Sequence, residues 1–120
     1  MIQTENKAVA GFHILMILSR VDGNFSDEES EVGARYISKY FENDFHFENE
    51  IAFLKILNRE KYFHHFKKCM DIFYSKSSAH DRAELIRFAV DMVKADMKIT
   101  AEENIYLNEL LAGWEPEHTG

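Results

Sequence analysis

Two short acidic segments carry residue types that could either cap helices or bind a cation. The segment VDGNFSDEE spans residues 21–29, and ADMKITAEE spans residues 95–103. A shift of 74 residues aligns Asp22 with Asp96 and Glu29 with Glu103. Converging carboxylates repel one another until a cation neutralises them. If the two turns meet, these four residues therefore predict a site for a divalent cation such as Ca²⁺.

The same residues also have a purely structural interpretation. Ser26 with Glu29 forms a capping box, in which the hydroxyl and the carboxylate bond N–H groups at the start of a helix, and the second segment repeats it. Both interpretations stay open, but a formal EF-hand does not. Position six of such a loop requires Gly and is Asp27, and position twelve requires Glu and is Gly33.

Residues 59–68 form the one basic island of an acidic chain. Lys61, His64, His65 and Lys68 recur there at helical spacing, with aromatic residues between them. One interpretation is an anion-binding face for an anionic partner. The other is the solvated side of an amphipathic helix, which the net charge of −7 favours.

The other histidines and the single cysteine show neither a zinc pattern nor a catalytic one. No two histidines have the His-x-x-x-His spacing that places two imidazoles on one helical face. We expect His13, within an apolar helix, to be a hydrogen-bonded core residue, and Cys69 to be a buried, unreactive thiol. Because nucleophile motifs and glycine-rich phosphate loops are also missing, the sequence predicts no enzymatic activity.

Helices are the elements that must position all of these residues. Pro116 is the only proline, so none of the preceding chain has a helix breaker of that kind. We expect a helix break near Asn58 and a cap at Ser78 with Asp81, or at Asp81 with Glu84. Apolar residues recur every three or four positions over about 5–20, 26–41, 51–57, 63–73, 85–93 and 105–114. This pattern predicts an all-α, compact helical bundle of about six to seven helices.

The offset of 74 residues extends beyond the turns and predicts an internal repeat. Tyr36, Ile37 and Tyr40 align with Leu110, Leu111 and Trp114. We expect a single domain over 1–120, with a flexible tail at 115–120. Its two pseudo-symmetric helix-turn-helix units should span about 8–41 and 82–114, around a helical insert at about 45–76.

Aromatic residues are numerous for a domain of 120 residues, with ten Phe, five Tyr and one Trp. Most should fill the core, where they contribute large buried areas. Tyr36, Tyr40, Tyr106 and Trp114 lie on the second helices of the two units and are candidates for a surface that binds a protein partner. A homodimer is one form that this partner could take.

Composition excludes several classes of protein. A net charge of −7 argues against nucleic acid as a partner, because that affinity depends on Lys and Arg. A single cysteine allows no disulfide within the chain, which favours a reducing compartment and predicts a cytoplasmic location. The longest apolar run is too short for a transmembrane segment.

The repeated turn motif resembles that of the TerB-like family. The motif begins with an apolar helix that ends in Ala or Val. Asp-Gly follows, then a polar residue, an aliphatic or aromatic residue and Ser/Thr-x-Glu-Glu. This motif occurs twice, around a helical insert. Met97 replaces the glycine in the second copy. The family includes the tellurite-resistance protein TerB and a domain of DnaJ-like co-chaperones. From about Gly11 to Trp114, the resemblance implies a pseudo-twofold helical bundle and a non-enzymatic, stress-linked role, with acidic turn residues binding metal ions.

Overall fold

The structure is a computed structural model that describes residues 7–20, 33, 35–39, 47–94 and 101–114. All regular secondary structure in these residues is helical. The helices are α1 (Lys7–Arg20), α2 (Phe47–Ile56), α3 (Tyr62–Lys76), α4 (Ala79–Lys94) and α5 (Ala101–Trp114), with a 3₁₀ turn at Arg59–Lys61. Positions 33 and 35–39 are helical as well. The all-α prediction is confirmed. None of these described helices combines the length and apolar character needed to cross a membrane.

Helix α1 is the centre of the described bundle. Every residue from 8 to 18 is buried, and α1 contacts α2, α3, α4 and α5, with its longest interface on α3. Gly11 allows this close approach, because a Cβ there would lie 3.1 Å from the Phe73 ring and 3.3 Å from Ile37. His13 is the only polar side chain in this buried stretch. Its polar atoms must therefore be satisfied inside the protein.

Helix α3 follows α2 through a short break. The chain becomes extended at Asn58, with φ −63° and ψ 138°, before the 3₁₀ turn leads into α3. The predicted break near Asn58 is confirmed. One face of α3 is buried at intervals of three and four residues, and this face carries Tyr62, His65, Phe66, Cys69, Met70 and Phe73.

A reciprocal cap begins α4 and ties it to α1. The Asp81 N–H donates to Ser78 Oγ over 3.1 Å, and the Ser78 N–H donates to Asp81 Oδ2 over 3.4 Å, as the capping box predicts. The same carboxylate accepts from Lys7 Nζ over 2.8 Å. Burial alone would raise the pKa of Asp81, but the Lys7 and Ser78 hydrogen bonds outweigh it and hold the pKa below 3.8. This ion pair connects positions that are 74 residues apart.

The internal repeat itself stays a prediction. Its motif residues at 21–29 and 95–100 lie outside the described residues, as do the turns they would form and the tail at 115–120. The described part of the second unit, in α4 and α5, is helical at the positions expected from the pattern.

Replacing Asp81 with Asn should lower the free energy of unfolding by about 1 kcal/mol near neutral pH, because Lys7 loses a partly buried carboxylate. A carboxyl whose pKa is lowered by folding stabilises the fold above its unfolded pKa and stops doing so as the pH falls through its folded pKa. The difference should therefore shrink below pH 3.8. Urea unfolding of the wild type and of Asp81→Asn at several pH values measures this difference in the free energy of unfolding.

Asp91→Asn is the matched control, since Asp91 is exposed on the same helix. It should change the free energy of unfolding by less than about 0.5 kcal/mol. A loss for Asp81→Asn that is equally large at neutral and strongly acidic pH would contradict the role assigned to the charge.

Candidate metal centre

Three ligand-type side chains meet in the core between α1 and α3. His13 Nδ1 lies 2.8 Å from His65 Nε2, and Cys69 Sγ lies 3.5 Å from the same nitrogen. All three ligand atoms lie within 4.8 Å of one another. The exposed fraction is 1% for His13, 9% for His65 and 0% for Cys69. Imidazole nitrogen and thiolate sulfur are the donors that Zn²⁺ and similar transition-metal ions prefer.

The helices bring these residues together through their spacing. His65 and Cys69 are four residues apart in α3, so they lie one turn apart on the same face. That face packs on α1, where His13 interrupts an otherwise apolar helix. The cluster therefore needs only two helices, which share the longest interface of α1.

Helix α2 supplies a carboxylate to the outer side of the cluster. His13 Nε2 lies 2.7 Å from Glu50 Oε1. A carboxylate only accepts hydrogen bonds, so Nε2 is the donor. Consequently Nδ1 is the His13 nitrogen that faces His65 and Cys69. A carboxylate bonded to the outer nitrogen of a histidine is the arrangement that orients metal-ligating histidines in proteins.

Burial keeps the two α3 members of the cluster uncharged near neutral pH. Desolvation, together with the nearby His13, lowers the pKa of His65 to about 4. Desolvation also raises the pKa of the Cys69 thiol to about 12. With His13 Nδ1 as the acceptor, the hydrogen of the 2.8 Å bond lies on His65 Nε2, so a metal could bind this nitrogen only after that hydrogen moved to Nδ1 of His65. The thiol must release a proton to become a ligand. The cluster would therefore exchange one thiol proton for a metal ion.

The three ligand atoms lie near, but not at, the spacing of a tetrahedral ion; the His13–Cys69 pair lies within 4.8 Å, so it would close by as much as about 1.2 Å. Bond lengths of about 2.05 Å to nitrogen and 2.3 Å to sulfur place two nitrogens about 3.4 Å apart, and a nitrogen and a sulfur about 3.6 Å apart. The distance from His65 Nε2 to Cys69 Sγ is already 3.5 Å. The His13–His65 pair, at 2.8 Å, would open by about 0.6 Å. Three protein ligands leave one position for a water molecule or another ligand.

The side chains of the predicted acidic cation site all lie outside the described part of the structure. Asp22, Glu29 and Asp96 lie outside the described residues, and although Glu103 belongs to α5, its side chain is also outside them. A Ca²⁺ site formed by the two turns stays a prediction.

Of the four candidate partner residues, the three that the structure describes are buried or half-buried. Trp114 is 5% exposed, and its indole Nε1 donates to the Met70 carbonyl over 3.3 Å, so it is a core residue rather than part of a partner surface. Tyr36 is half-buried and stacks on an aromatic ring of α4. Tyr106 is half-buried against two aromatic rings of α3. Tyr40 lies outside the described residues.

The basic island divides between solvent and core. Lys61, His64 and Lys68 are exposed, as expected for a solvated helix side, but His65 is buried because it shares the face of α3 that packs on α1. His65 therefore belongs to the buried cluster with His13 and Cys69 and not to an anion-binding face. Glutamates of α5 also offset neighbouring positive charge, through the pairs Arg59–Glu102 at 3.0 Å and Lys67–Glu109 at 3.6 Å.

Sequence reasoning missed this cluster as a site, although it correctly predicted that His13 is hydrogen-bonded in the core and that Cys69 is buried. The available signal was the spacing of four between His65 and Cys69. A histidine and a cysteine one turn apart can share a metal as two histidines do. The His-x-x-x-His pattern does not include that combination.

Comparison with protein-family models, curated proteins and solved structures finds no match to this chain. Function therefore has to be argued from the geometry of the described residues, and the resemblance to the TerB-like family stays a prediction.

Native Cys69 should react with a water-soluble disulfide reagent at least about 100-fold more slowly than Cys69 in the unfolded chain, because burial excludes the reagent and keeps the sulfur protonated. Absorbance of the released reagent thiol measures both rates, with guanidinium chloride used to unfold the control sample. Equal rates in the two samples would show an accessible thiol and contradict the buried cluster.

Proposed function

We propose that this protein is a non-enzymatic helical module that binds one transition-metal ion of the Zn²⁺ type through His13, His65 and Cys69. The observation that carries the proposal is the convergence of three buried ligand atoms within 4.8 Å of one another. Nitrogen and sulfur donors disfavour Ca²⁺ and Mg²⁺, which take oxygen ligands. The site we propose thus differs in both its ligands and its metal from the site predicted at the acidic turns.

A metal-responsive role suits a domain of this size. A chain of 120 residues buries enough surface to fold without a metal staple, so the ion would be a reversible ligand. We propose that its occupancy reports metal availability or stress to a protein partner, in line with the role that the TerB-like resemblance implies. The cytoplasm suits such a site because its thiol must stay reduced.

The test compares metal binding by two matched variants. Cys69→Ala removes a proposed ligand from the core, whereas His64→Ala removes an exposed imidazole one position before His65. After treatment with a chelator, the wild type and His64→Ala should bind one Co²⁺ with a thiolate-to-metal charge-transfer band. Cys69→Ala should show no such band. Saturating Zn²⁺ should raise the Tm of the first two proteins by about 10 °C.

The unloaded Tm of Cys69→Ala shows whether that variant is folded. If the wild type binds neither Co²⁺ nor Zn²⁺, or if Cys69→Ala binds Zn²⁺ as tightly as the wild type does, the proposed site is wrong. A Tm that rises with Ca²⁺ alone, and no longer rises in Asp22→Ala or Asp96→Ala, would assign metal binding to the acidic turns instead.

A further inference from the structure

Helix α2 touches both histidines of the proposed metal centre. Glu50 Oε1 accepts from His13 Nε2 at 2.7 Å. Three residues further along the same face, the Phe53 ring stacks on His13 with centroids 5.6 Å apart and is tilted against His65 at 5.4 Å. Ile51 and Leu54 are buried beside them. This ten-residue helix therefore packs against both histidines of the cluster through Glu50 and Phe53.

Resting on the function proposed above, we infer that Glu50 is the positioning residue of the metal centre and that metal occupancy tightens the docking of α2. Glu50 does not contact the metal position, because it is bonded to the outer nitrogen of His13. Its carboxylate holds the hydrogen on Nε2 and thereby directs the lone pair of Nδ1 toward His65 and Cys69. A neutral amide at this position would be a weaker acceptor and could instead donate through its NH₂ group, so the imidazole would lose its preference for this tautomer and ring orientation.

The coupling follows from the chemistry of the imidazole. A cation on Nδ1 draws electron density from the ring and makes the Nε2–H a better donor, which strengthens its bond to the carboxylate. By thermodynamic linkage, whatever Glu50 contributes to metal affinity, the metal contributes equally to the docking of Glu50.

Helix α2 is well suited to report this coupling. Its principal contact is with α1, and ten residues are too few for a stable helix in water without such packing. Its amide hydrogens should therefore exchange through undocking of α2, with less dependence on unfolding of the whole domain. Among the described residues, no hydrogen bond or ring contact joins α5 to His13, His65 or Cys69, so α5 serves as the internal reference.

The experiment compares Glu50→Gln with Glu48→Gln in the full chain. Both changes remove one negative charge from the first turn of α2, but Glu48 is exposed. Competition titration measures Zn²⁺ affinity, and hydrogen–deuterium exchange with mass spectrometry follows the peptides over 47–56 and 101–114. Glu50→Gln should weaken Zn²⁺ binding by about 10- to 100-fold. Glu48→Gln should bind Zn²⁺ as the wild type does.

In the wild type and Glu48→Gln, saturating Zn²⁺ should slow exchange in 47–56 by about tenfold more than in 101–114. In Glu50→Gln at saturating Zn²⁺, the two peptides should slow equally. If Glu50→Gln keeps wild-type affinity, or if Zn²⁺ slows both peptides equally in the wild type, Glu50 has no positioning role while the metal site stands. If the wild type binds no Zn²⁺, both the site and the role of Glu50 are wrong.

Discussion

An imidazole at the middle of the most buried helix must find its polar partners inside the protein. Every neighbour of His13 between residues 8 and 18 is apolar and buried, and leaving both of its ring nitrogens unsatisfied there would cost several kcal/mol. Glu50 from α2 and His65 from α3 supply the two partners. One side chain thus links three helices, and their relative positions depend on satisfying it.

Burial shields the cluster of His13, His65 and Cys69 from solvent, and the same burial would favour metal binding. Desolvation keeps His65 neutral and Cys69 protonated, so near neutral pH neither adds a buried charge. A divalent ion bound by the thiolate and two imidazoles would bring its own positive charge into the same low-dielectric space. Glu50, only 14% exposed, lies at the outer edge of the cluster and offsets part of that charge through His13.

Local features of the chain were readable from the sequence, because they depend on near neighbours. Helical periodicity predicted the all-α fold and the break near Asn58, and a short motif predicted the cap at Ser78 and Asp81. The cluster depends instead on which helix faces meet, since His13 and His65 are 52 residues apart. Because its basic neighbours His64 and Lys68 are exposed, the sequence alone predicts that His65 is exposed too. Only the packing of α3 on α1 shows that it is buried.

X-ray absorption spectroscopy at the zinc edge of the Zn²⁺-loaded protein tests the central claim most directly, because it identifies the ligand atoms themselves. The metal centre proposed at His13, His65 and Cys69 predicts one sulfur at about 2.3 Å and two imidazole nitrogens at about 2.0–2.1 Å. A first shell made only of oxygen and nitrogen, with no sulfur, would contradict it.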